Sequence, residues 1–110
     1  MRVYIAAPFS SSNVIEMLKN IGRAEQMAAK LFELGYDPFC PHYDKDFIIK
    51  NPESKHHLSR FYEYCLKWLE VSDVMLVIGM SEGVREEIKF CKDSGIPVAY
   101  SIEELRSMAV

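Results

Sequence analysis

The run Val74-Met75-Leu76-Val77-Ile78 constrains this chain more than any other stretch, being five consecutive apolar residues bounded by Asp73 and Gly79. A strand with one face in water alternates apolar and polar residues. An unbroken apolar run needs cover on both faces, as strands inside a parallel sheet have. Residues 3–7 form a second such run, ending at Pro8. Residues 36–40, closed by Pro41, predict a further short strand, and residues 95–100 a turn entered through Gly95 and then a strand.

Between these runs the apolar spacing changes to that of helices. Asn13 is a helix-capping residue type, and behind it Val14, Met17, Leu18, Ile21, Ala24, Ala28, Leu31 and Phe32 recur at three and four residues until Gly35, a left-handed stop. Residues 54–71 predict a second helix with two apolar stripes: Leu58, Tyr62, Leu66 and Leu69 on one face, and Phe61, Tyr64, Cys65 and Trp68 on the next. The second stripe is more than one sheet contact requires, so it is expected to meet another subunit in a homodimer. Residues 84–94 predict a third helix with Val84, Ile88 and Cys91 inward, and Ser101 with Glu104 forms a capping box opening a terminal one. The order βαβ, loop, αβαβα predicts an α/β fold, a doubly wound parallel sheet of four or five strands flanked by helices with right-handed crossovers. At 110 residues, one domain over 1–110 is expected.

Composition narrows the function classes. A formal charge of -3 without a basic stripe argues against nucleic acid or an anionic membrane as partner, and no apolar segment approaches the ~20 residues of a membrane helix. Cys40, Cys65 and Cys91 form no CxxC pair, and His56 and His57 lack a third ligand, so reduced thiols, a cytoplasmic location and no metal or other cofactor are expected.

Ligands of doubly wound sheets sit beyond the carboxyl ends of the strands. That places Ala7, Pro8, Phe9 and Ser10 after the first strand, His42 after the second, and Ser81 and Gly83 after the third in the candidate site. The long, mostly polar segment 42–55 is a candidate lid or binding loop. Ser81 and Gly83 stand at a helix start, where first-turn amides and the helix dipole favour an anion such as a phosphate. On general grounds the simpler reading is that Ser81 is an N-cap and that Glu82, Glu86 and Glu87 complement the dipole. Glu87 differs from Glu86 in falling among Val84, Ile88 and Cys91, whereas Glu86 turns toward solvent. A carboxylate at the core edge facing the mouth of a sheet is a candidate nucleophile or acid/base.

Four segments together carry a resemblance: residues 3–9; Asn13 with the helix ending at Leu34 and Gly35; residues 38–42; and residues 73–77 followed by Ser81, Gly83, Glu87 and the stretch 95–98. Over nearly its whole length the chain resembles the nucleoside 2-deoxyribosyltransferase-like superfamily, which includes nucleoside 5′-monophosphate N-glycosidases and small phage and bacterial relatives. The resemblance implies a flavodoxin-like fold and an enzyme that cleaves or transfers the N-glycosidic bond of a nucleoside or its 5′-monophosphate. It implies that Glu87 attacks the anomeric carbon to form a glycosyl-enzyme ester, which water or a second base resolves. It implies that Ser81 and Gly83 hold a 5′-phosphate, a serine there leaning toward a nucleotide. Tyr4 matches a tyrosine near the sugar and the catalytic glutamate, although by itself it reads equally as a core aromatic. His42 is placed to border the sugar or base, and Phe9 to stack on the base or pack on the long loop. One position departs: the aspartate that many members carry eight residues before the match to Asp73 is Cys65 here. A thiol does not replace a carboxylate in general acid work without a strong pKa change, so either another acid such as Glu63 or Asp44 supplies the function, or the chemistry differs, or the chain is a catalytically inactive nucleotide-binding or sensing module.

Overall fold

A computed structural model describes residues 1–8, 13–41, 50 and 57–108, with the backbone only at 57 and 58. The strands β1 (Arg2–Ala6), β2 (Asp37–Phe39), β3 (Val74–Val77) and β4 (Val98–Ala99) form one sheet in the order β2-β1-β3-β4, all pairs parallel. The helices are α1 (Val14–Glu33), α2 (His57–Glu70), α3 (Glu82–Ser94) and α4 (Ile102–Ser107). This is the expected flavodoxin-like α/β sheet, with four strands. The chain turns back between β1 and β3, so the crevice at their carboxyl ends is the switch point of the fold.

Local chemistry accounts for the ends of these elements. Asn13 Oδ1 accepts from the amides of Ile15 and Glu16 at 2.8 and 3.3 Å and opens α1. Gly95, at φ 76°, closes α3 in a left-handed conformation that a side chain would strain. Ser101 Oγ accepts from the Glu104 amide at 3.0 Å, while Glu104 Oε2 reaches one residue past the cap to the amide of Tyr100 at 2.9 Å. Asp73 Oδ2 accepts from the Arg2 amide at 2.7 Å, fastening β3 to β1 at the amino ends of the strands. Pro38, which has no amide hydrogen to donate, lies in β2, an edge strand.

Alternating strand residues divide the core in two. Val3, Ile5, Val74 and Leu76 meet Ala24, Ala28 and Leu31 of α1 and Leu105 of α4. Tyr4, Ala6, Met75 and Val77 meet Cys65 and Leu69 of α2 and Val84 and Cys91 of α3. Two expectations about the stripes are corrected. In α1 only Ile21, Ala24, Ala28 and Leu31 are buried, while Val14, Leu18 and Phe32 are exposed. At about 100° per residue these three fall roughly 60–100° round the helix from the middle of the buried stripe, so they face solvent beside the sheet. In α2 the supposed outer stripe faces the chain's own sheet: Phe61, Tyr64 and Cys65 pack on the Tyr4 cluster. Trp68 stacks on Phe39, with ring centroids 5.4 Å apart. Much of that stripe is therefore taken up by the chain's own core, with Trp68 still 46% exposed.

Candidate active site

The inward face of α3 reads Val84, Glu87, Cys91, a spacing of three and four that puts a carboxylate in the middle of a buried stripe. Glu87 is 9% exposed and is the one charged side chain in the core among the described residues. Its partner comes from the central strand: Tyr4 Oη donates to Glu87 Oε2 at 2.5 Å. Burial pushes the Glu87 carboxyl up to about 7, against the smaller opposing effect of the Tyr4 hydrogen bond, which favours the charged form. Tyr4 itself is held well above the usual phenol range by burial, by the neighbouring Glu87 charge and by Cys65. Glu86, by contrast, is exposed, as its position one residue round the helix predicts.

Ser81 caps α3. Its Oγ accepts from the Val84 amide at 3.2 Å, so one oxygen lone pair serves the helix while the hydroxyl hydrogen stays available to an acceptor. A Cβ placed on Gly83 would meet nothing nearer than Ser81 Oγ at 3.9 Å, so packing does not demand a glycine there. The first-turn amides that helix geometry leaves without an intrahelical acceptor open beside it. Glu87 lies one turn further, ~6 Å along the axis.

Three further residues stand around this pair. Cys65, at the position where the resemblance puts an aspartate, is buried on α2 beside Tyr4. Tyr62, expected in the inner stripe of that helix, lies where burial and the charges of Glu86 and Glu87 raise its pKa. Cys91 lies beside Glu87, and burial followed by that charge pushes its thiol up to about 11. No spacing rule marks these positions, because each depends on how α2 and α3 dock beside one another on the sheet.

The remaining candidates are placed differently. Ala7 packs on the α1 side of the sheet, away from Glu87. The ring of Pro8 lies against Gly79, where an added Cβ would sit 2.7 Å from Pro8 Cδ. Phe9, Ser10 and His42 lie outside the described residues, as do Asp44, His56 and all but residue 50 of the segment 42–55. Among the described residues no group of three His, Cys, Asp or Glu side chains is arranged to hold a metal. None of the described helices is long and apolar enough to cross a membrane.

Solved structures share this fold. The chain is similar to a 2-deoxyribosyltransferase from the psychrotolerant bacterium Bacillus psychrosaccharolyticus, with a TM-score of 0.61 and 21% identity over 98% of this chain and 82% of that one. At that identity the likeness is one of fold. The chain belongs to the DUF7768 family, a domain of unknown function, whose model matches residues 1–101. No curated protein matches it.

Proposed function

We propose that residues 1–110 act as a single domain that cleaves or transfers the N-glycosidic bond of a nucleoside or nucleoside 5′-monophosphate, with Glu87 as nucleophile. The observation that carries this reading is the Glu87 carboxylate, buried at the switch point and hydrogen-bonded to Tyr4 at 2.5 Å. Ionised Glu87 attacks the anomeric carbon, forming a C–O ester bond as the C–N bond breaks. The base leaves with the electron pair of that bond and takes up a proton. Water or a second base then displaces Glu87 and releases the sugar. The burial that raises its pKa also strips the carboxylate of water, and the attack discharges it. Tyr4 orients the attacking group and holds part of it ionised. A 5′-phosphate is received by the hydroxyl of Ser81 and the open amides at Gly83, one helical turn from Glu87. His42, Phe9 and Ser10 complete the substrate surface in this proposal, whereas Ala7 and Pro8 line the groove on the other face of the sheet. Its setting is a cytoplasmic homodimer, for which Val14, Ile15 and Leu18 are exposed apolar ground.

The test is incubation with a panel of nucleosides and nucleoside 5′-monophosphates, with released base followed by chromatography. Base release should fall on the order of a thousandfold or more in Glu87→Ala. Release that survives the substitution overturns the mechanism. A second reading is favoured by one observation, the buried thiol of Cys65 beside Tyr4 where the resembling enzymes carry a carboxylate. A binding or sensing module predicts that the same nucleotides raise the melting temperature without any base release.

A further inference from the structure

On the face of the sheet opposite Glu87, the carboxyl ends of β1 and β3 floor a groove between α1 and α4. One part encloses about 490 Å³ along α1, between its Asn20, Arg23 and Lys30 and the strand-end residues Ala7 and Ile78. A second part of about 460 Å³ shares Met27, Ile78 and Gly79 with the first and extends to Tyr100 and Ile102. Each part falls in the range of roughly 300–1,000 Å³ typical of small-molecule pockets.

The two walls differ in chemistry. Asn20, Arg23 and Lys30 share one side of α1, being three and seven residues apart, which sets the two cations ~10 Å apart along the axis. Arg23 Nη2 donates to Asn20 Oδ1 at 2.5 Å, which holds the guanidinium in place. No carboxylate among the described residues pairs with Arg23 or Lys30, whereas Lys19 of the same helix pairs with Glu16. Met27 and Ile78 form an apolar floor, and Tyr100 is an exposed ring on the far side. Unpaired cations beside an apolar floor and an aromatic ring, on a chain of net charge -3, match an organic anion with a flat apolar body.

We infer that this groove is a second ligand site, which takes a small aromatic or otherwise apolar organic anion. Arg23 and Lys30 receive its phosphate, sulfonate or carboxylate, and its body lies on Met27 and Ile78 against Tyr100. The site is separate from the chemistry proposed at Glu87, because Ala7 and Ile78 pack on the α1 side while Tyr4 and Glu87 lie on the other.

The probe is 1-anilinonaphthalene-8-sulfonate, titrated into the protein by fluorescence and calorimetry at low salt, with backbone amide shifts followed in parallel. Saturable binding at one site is expected, with shifts at Ile78 and Gly79. Affinity should fall about tenfold or more in the double variant Arg23→Glu, Lys30→Glu, and less than about twofold in Lys19→Glu, Lys67→Glu, which carries the same change in net charge. Arg23→Gln should weaken binding to an intermediate degree without reversing a charge, and melting curves verify that each variant is folded. The inference is overturned by absence of saturable binding, by equal losses in the two double variants, or by shifts confined to Val14, Ile15 and Leu18.

Discussion

The two faces of the sheet use the same strands for opposite ends. Toward α1 and α4, β1 and β3 present Val3, Ile5, Val74 and Leu76, and among the described residues every buried side chain they meet is apolar or the thiol of Cys40. Toward α2 and α3 the alternate residues are Tyr4, Ala6, Met75 and Val77, facing Cys65 and Cys91, with Glu87 hydrogen-bonded to Tyr4 on that side. A burial that disfavours the charged form of Glu87 is tolerable on one face because the other supplies aliphatic packing without a polar group to satisfy.

If that division of labour holds, the largest stability loss comes from the apolar face. Leu76→Ala should cost ~3 kcal/mol or more by urea unfolding, since Leu76 is fully buried and its neighbours cannot close the space. On the other face, removing charge should help. Because burial raises the Glu87 pKa from 4.5 to about 7, the folded state holds a proton that the unfolded state loses. Its stabilising contribution is full below pH 4.5 and is lost as pH rises through about 7. Relative to the wild type, Glu87→Gln should therefore gain up to ~3 kcal/mol as pH rises from 4.5 to 8. Parallel stability profiles for the two proteins would show that Glu87 is not desolvated. Over the same range base release should rise with pH through about 7, as the nucleophile ionises.

Smaller effects sharpen the boundary between the faces. Gly79→Ala should cost ~1–2 kcal/mol in a melting experiment, because a Cβ 2.7 Å from Pro8 Cδ forces the strand ends apart. Tyr4→Phe removes the hydroxyl that favours ionised Glu87, so the Glu87 carboxyl, followed by carbon NMR, should titrate at higher pH than in the wild type. An unmoved titration would mean that Tyr4 only fills the core. Phe32→Ser, on the exposed flank of α1, should change stability by less than ~0.5 kcal/mol.

Much of this was legible in the chain because it depends on neighbours in sequence. Asn13, Ser81 and Ser101 accept from amides two or three residues on, and Gly95 adopts the left-handed conformation its position requires. The choice of Glu87 over Glu86 needed only the 100° step of a helix and the apolar residues around it. Val14, Leu18 and Phe32 misled because spacings of three and four admit a wider arc of the helix than the sheet covers. The Phe61, Tyr64, Cys65 and Trp68 stripe misled because a helix near the edge strand can bury a wider arc than a single sheet contact suggests.

The sequence by itself determined the order of elements, their caps and the side of α3 on which a carboxylate would lie, since each follows from spacings of a few residues. Only the tertiary structure decided that Tyr4 and Glu87, 83 residues apart, share a hydrogen bond and that Cys65 stands beside them. It also decided that Ala7 faces a groove on the other side of the sheet. These are consequences of parallel strand pairing and of which face each crossover takes. Pairing across the sheet, not spacing along the chain, sets the distance between such groups.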